Sequence, residues 1–183
     1  MKIDTYAISS DNQLIKGSEI HEFITNVIDV FKSFNYDNHI KLLSKQDQKT
    51  KRNLVKLFQN ELRDQLDEIA EVKGWMQEER INQKLKDSYD LSFKVKLGSL
   101  NYQVIIELDA SRGDQIAKKF VLRTSHTLEV RLPTIYFAFC YPGTESMSES
   151  DFKKILSCCQ KITSSLYTDS IPRYFIGITA KSD

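Results

Sequence analysis

Asp90-Leu91-Ser92-Phe93-Lys94-Val95-Lys96-Leu97-Gly98-Ser99-Leu100-Asn101-Tyr102-Gln103-Val104-Ile105-Ile106-Glu107-Leu108-Asp109 decides the fold. Leu91, Phe93, Val95 and Leu97 alternate with Ser92, Lys94 and Lys96, the period of a strand with one apolar face. Tyr102 to Leu108 is more continuously apolar, as expected of a more central strand. Gly98-Ser99-Leu100-Asn101 reads as the turn between them. Pairing residues 90–97 with 102–109 about that turn sets Asp90 opposite Asp109 and Ser92 opposite Glu107. Side chains alternate along a strand, so Asp90, Glu107 and Asp109 share one face at the open end of the hairpin.

Upstream, residues 1–10 alternate loosely and suggest a short strand. A helix is expected from Ser18, because Ile20, Phe23, Ile24, Val27, Ile28 and Phe31 recur at three- and four-residue intervals. Asn35 to Asn38 looks like a turn, and residues 40–50 are polar and undecided. Leu54, Leu57, Phe58, Leu62, Leu66, Ile69 and Ala70 then hold helical period, which predicts a long helix over 51–73 that weakens at Gly74. The charges on its opposite face read as solvated surface. Trp75 to Leu85 reads as a short helix or a loop.

Downstream, Ser111-Arg112-Gly113-Asp114 has the form of a helix start with Ser111 as N-cap. The helix carries Ile116, Ala117, Phe120 and Val121 inward. Thr134 to Tyr141 is an apolar run suited to a buried strand, closed by Pro142-Gly143. Residues 149–166 form an amphipathic helix through Phe152, Ile155, Leu156, Cys159 and Ile162, and Tyr174 to Thr179 is a last strand. Strands that each follow a helix imply crossovers onto a mixed sheet. The expected fold is therefore one α/β domain over 1–183: a mixed sheet with an antiparallel hairpin, flanked by helices. Its N-terminal part, about 1–85, is largely helical, and its core spans about 50–183.

Composition narrows the class. Of 183 residues 40% are apolar and 28% charged, enough for a packed core under a solvated surface. No apolar run reaches the roughly 18 residues of a membrane span, and Met1 to Thr5 lacks a signal peptide's apolar run. Cys140, Cys158 and Cys159 lack zinc-ligand spacing and read as buried thiols of a cytoplasmic protein. The net charge of +1, from 26 basic and 25 acidic side chains, does not itself announce nucleic-acid binding. Any such surface must be local, or assisted by a cation or by oligomerisation. No glycine-rich phosphate loop or nucleophile elbow is present, and His21, His39 and His126 are scattered.

The acidic end of the hairpin is the chemically suggestive feature. Three carboxylates crowded together repel one another, and a divalent cation relieves that. An all-oxygen set suits magnesium or manganese better than zinc. The ordinary alternative is a solvated strand end carrying unremarkable charges.

The arrangement resembles the PD-(D/E)xK nuclease superfamily, to which many type II restriction endonucleases belong. That core has a helix, a hairpin with an aspartate opening one strand and E-x-K closing the next, then a helix and a strand. The resemblance covers about residues 50–141. It implies a Mg2+- or Mn2+-dependent endonuclease acting on double-stranded DNA, cytoplasmic and working as a homodimer. Asp90 matches the aspartate and Glu107 the glutamate. Tyr89 replaces the motif's proline. Asp109 stands where the lysine belongs, so that lysine would come from the following helix, as Lys118 or Lys119. Glu78 or Glu79 resembles the extra acidic residue that some members add to the metal, so the implied ligands are Asp90, Glu107, Asp109 and Glu79. Arg112, in the loop beside the acidic end, is a candidate phosphate contact or simply part of the helix start. The rival reading is a non-catalytic α/β interaction protein. The two separate on whether any lysine reaches the carboxylates.

Overall fold

A computed structural model of the chain describes residues 2–8, 17–36, 39, 47–68, 74–77, 79–81, 87–110, 113–141, 148–166 and 170–181. In chain order the elements are β1 (Lys2–Ile8), α1 (Glu19–Ser33), α2 (Gln48–Asp67), β2 (Met76–Gln77), β3 (Leu91–Leu97), β4 (Leu100–Ala110), α3 (Gly113–Glu129), β5 (Thr134–Tyr141), α4 (Glu149–Ser165) and β6 (Arg173–Lys181). They form an α/β fold around one mixed open sheet, ordered β1-β6-β5-β4-β3-β2. Five strands are full-length, and β2 contributes two residues at one edge. β4, β5 and β6 run parallel, while β3 on one side and β1 on the other are antiparallel to their neighbours.

The helices divide between the two faces of the sheet. On one face α1 and α2 pack through Phe23, Ile24, Val27, Ile28, Phe31, Phe58, Leu62 and Leu66 onto Leu91, Val104, Ile106, Phe137 and Phe139. On the other, Ile116 and Phe120 of α3 and Phe152, Leu156 and Cys159 of α4 cover Ile105, Tyr136, Ala138 and Phe175. Covered on both faces, β5 buries all eight of its residues, which explains its unbroken apolar run. Ser18 caps α1 as its position suggests, accepting from His21 N at 3.3 Å.

The structure departs from several sequence expectations. The hairpin turn is two residues, not four: Leu97 pairs with Leu100, and Gly98 takes φ +60°. Such a tight turn needs a left-handed residue, and glycine accepts that conformation without steric cost. The register therefore slips by two, so Ser92 faces Ile105 and not Glu107. An even slip keeps every side chain on its expected face. Trp75 to Leu85 was expected as helix or loop; Met76 and Gln77 instead pair with β3, and Arg80 bridges Ser88. The long helix begins earlier and ends earlier than 51–73, at Asp67. Leu57, Val121 and Ile162, read as inward, are exposed, because each lies at the margin of its helix's apolar stripe. Cys140 and Cys159 are buried as expected, but the adjacent Cys158 is exposed. The expected N-cap Ser111, the turn at Pro142-Gly143, and Ile69 and Ala70 lie outside the described residues. No helix among the described residues is long and apolar enough to cross a membrane.

Candidate active site

β3 and β4 end together at the acidic corner. Asp90 immediately precedes β3, where its side chain takes over the ladder: Oδ2 accepts from Leu108 N at 2.8 Å. Glu107 and Asp109, two apart on β4, project from the face covered by α3. Val104, Ile106 and Leu108 alternate to the opposite side, which sets both carboxylates on the face of Ile105, under that helix.

Lys119 of α3 enters between them. Its Nζ lies 2.9 Å from Asp90 Oδ2, 3.1 Å from Glu107 Oε2 and 3.3 Å from Asp109 Oδ1. The adjacent Lys118 points outward, with a side chain 70% exposed and Asp114 at 3.5 Å. One residue along a helix turns the side chain by about 100°, so only one of two neighbouring lysines can face the sheet. Of the two sequence candidates, Lys119 is the one brought to the carboxylates.

Arg123, one turn beyond Lys119, was not singled out by sequence. Its side chain is 2% exposed. Nε donates to Glu107 Oε1 at 2.8 Å, and Nη2 donates to Ser88 O at 2.7 Å and Asp87 Oδ1 at 3.1 Å. Nη1 pairs with Asp87 Oδ2. One guanidinium thus ties α3 both to Glu107 and to the segment that delivers Asp90. On the far side Gln59 of α2, itself buried, reaches Asp90 Oδ1 from Nε2 at 3.5 Å and accepts from Gln77 at 3.0 Å.

Burial dominates the electrostatics. It pushes Glu107 up to about 8, helped by the charge of Asp90 and opposed by Lys119 and Arg123. It pushes Asp109 up to about 6, against the pull of Lys119. For Lys119 burial works to lower the value, but the three carboxylates outweigh it and hold the amine well above its ordinary range. Asp87 is lowered: burial would raise it, and the hydrogen bonds and charge of Arg123 prevail.

Four carboxylates, Asp87, Asp90, Glu107 and Asp109, face two cations, Lys119 and Arg123, so fully ionised the cluster carries an excess of two negative charges. Glu107 Oε2 is buried without a hydrogen bond, since Lys119 stands near it at ionic distance but not in bonding geometry. An all-oxygen set with two excess charges and an orphaned buried oxygen fits a hard divalent cation. Lys119 Nζ stands between the three carboxylates that were expected to share one coordination sphere. Among the described residues no group of three or more Asp, Glu, His or Cys side chains is set to hold a metal. Glu79 turns its carboxylate to the hydroxyl of buried Ser92. Glu78 and Arg112 lie outside the described residues.

No family model and no curated protein matches this chain.

Proposed function

We propose that the chain is a metal-dependent endonuclease that hydrolyses DNA phosphodiester bonds, of the type II restriction kind. One observation carries the reading: a lysine from the helix after the hairpin reaches the carboxylates of Asp90, Glu107 and Asp109. This is the group that the departure from E-x-K at Asp109 left unsupplied. The element order supports it too, with a helix, the hairpin, a second helix and a strand parallel to β4.

Asp90 and Glu107 are the residues to hold magnesium or manganese, with Asp109 beside them on Lys119, while Glu79 is engaged by Ser92. Magnesium commonly takes one or two carboxylates and completes its shell with water and substrate phosphate, so a ready-made three-ligand cage is not required. When bound, such an ion stabilises charge on the phosphate and lowers the pKa of a bound water. Lys119, held protonated by its neighbours, acts as a hydrogen-bond donor at Nζ and not as a general base. Donation from Nζ orients the attacking water or neutralises a phosphate oxygen. Arg123 occupies Glu107 Oε1 and so leaves Oε2 for the cation. Cutting both strands of a duplex needs two such sites, which a two-fold homodimer supplies.

The test is incubation with mixed plasmid and phage DNA in magnesium, alongside Asp90→Ala. Discrete fragments from the wild type alone support the reading. No cleavage of any DNA or RNA, together with melting unchanged by manganese, overturns it. That outcome favours the second reading, a non-catalytic interaction protein whose buried ion pairs only hold the fold. The absence of a three-donor group among the described residues speaks for that alternative. A monomeric mass at cleavage concentrations removes the dimer.

A further inference from the structure

Helix α2 has an unusual distribution of charge. Lys49, Lys51, Arg52 and Lys56 occupy its first half, and its first turn carries no acid. The helix dipole favours anions at that end, where the Asp47 carboxylate caps the helix, and disfavours cations. Helix stability therefore does not account for them. Two of the four, Arg52 and Lys56, are also ordered in angle with later residues, while Lys51 lies about 100° round the helix from Arg52. Arg52, Lys56, Gln59 and Arg63 follow at intervals of four, three and four, which makes one stripe, while Glu61, Asp64 and Glu68 lie on the far side. Arg52 and Lys56 are exposed and have no carboxylate partner among the described residues, whereas Arg63 is paired with Asp64 at 2.7 Å. Gln59, in the middle of the stripe, turns inward to Asp90.

We infer that this stripe of α2 is the surface that carries the phosphodiester backbone of duplex DNA to the acidic corner. The inference rests on the nuclease reading and extends it to the partner surface. From Arg52 to Arg63 the helix rises about 16 Å, a length matching roughly five nucleotides of one strand at 3.4 Å each. The stripe answers the problem posed by a net charge of +1. Arg52 and Lys56 place two exposed cations on the flank of the helix whose Gln59 reaches Asp90, so a local charge and not an overall one would hold an anionic polymer there.

The experiment is fluorescence anisotropy of a mixed-sequence duplex, in calcium to suppress cleavage, over a series of salt concentrations. It compares wild type, the double variant Arg52→Gln/Lys56→Gln, and the control Lys154→Gln/Lys161→Gln on α4, which removes the same charge from another exposed helix. Two lost phosphate contacts should reduce the slope of log K against log salt by about 2, which is roughly a thirtyfold loss of affinity at about 0.15 M. The control should stay within twofold. A double variant that binds like wild type, a control that weakens equally, or a wild type that does not bind duplex even at low salt overturns the stripe. Cleavage separates the two readings. Duplex binding that depends on Arg52 and Lys56 without any cleavage keeps the stripe and removes the nuclease. Cleavage with an indifferent stripe does the reverse.

Discussion

Replacing Lys119 by methionine removes the ammonium shared by Asp90, Glu107 and Asp109 and keeps the length of the side chain. At an effective dielectric of about 20, contacts of 2.9–3.3 Å are each worth roughly 5 kcal/mol by Coulomb's law. Most of this is offset by desolvating the ammonium and by carboxylates that take up protons once unpaired. The side chain also keeps 24% exposure, which screens part of the attraction. Breaking a buried pair from one side leaves a net cost of about 3 kcal/mol, or roughly 6–12 °C in Tm for a chain of this size. The cost must depend on pH with a definite sign. Glu107 and Asp109 titrate near 8 and 6 in the fold, above their ordinary values. Their stabilising contribution is thus complete at low pH and lost as pH rises through those folded values. Without Lys119 they climb further, so the variant's deficit is smallest near pH 5.5 and largest near pH 8. Melting curves of both proteins at the two pH values measure this. Equal melting temperatures, or a deficit indifferent to pH, would refute the convergence of the three carboxylates on Lys119.

Lys118→Ala should leave both stability and cleavage within measurement error, since its exposed ammonium pairs with exposed Asp114; a loss comparable to that of Lys119→Met in a cleavage assay would reverse the assignment. Glu107→Ala should cost about 3 kcal/mol in denaturant titrations, because it strips a partner from buried Arg123; simple relief of repulsion would leave stability level or raise it. Glu107→Gln keeps the shape, costs less, and should abolish the shift in Tm that manganese produces. That shift in the wild type should grow as pH rises from about 5.5 to about 8.5, as Asp109 and then Glu107 lose the protons that compete with the ion. A shift that shrinks over this range would place the metal elsewhere.

Much of the fold was legible because burial leaves a period. The alternation of Leu91 to Leu97, the apolar run of Thr134 to Tyr141 and the three- and four-residue spacing in α1 each record which faces are covered. What escaped lacked that record. β2 is two residues long, too short for any period, and exists because β3 offers it an edge. The hairpin register depended on turn length, and Gly98-Ser99 alone does not say whether Leu100 and Asn101 belong to the turn or to the strand. The side of the sheet for each carboxylate survived that error only because the slip was even.

The site was legible to the extent that strand alternation governs it. Asp90, Glu107 and Asp109 could be grouped from sequence because each lies on or beside a strand. Choosing between Lys118 and Lys119 needed the rotation of α3, which its apolar residues do encode. Ile116 and Phe120 face the sheet, and Lys119 and Arg123 follow them at three and then at three and seven, on the same flank. Val121, which is exposed, had obscured that phase. Arg123 had no signal of its own, since an arginine on an amphipathic helix reads as surface. Burial of a guanidinium is costly unless carboxylates meet it, and here two do so, one of them Glu107. Arg123 and Lys119 therefore divide Glu107 between them, with Oε1 bonded and Oε2 left without a hydrogen bond. A cluster built only for stability would gain by satisfying that second oxygen as well. That oxygen is buried with an ammonium at ionic distance and no hydrogen bond, beside two further carboxylates, so it is the position where a bound cation or a proton would complete Glu107.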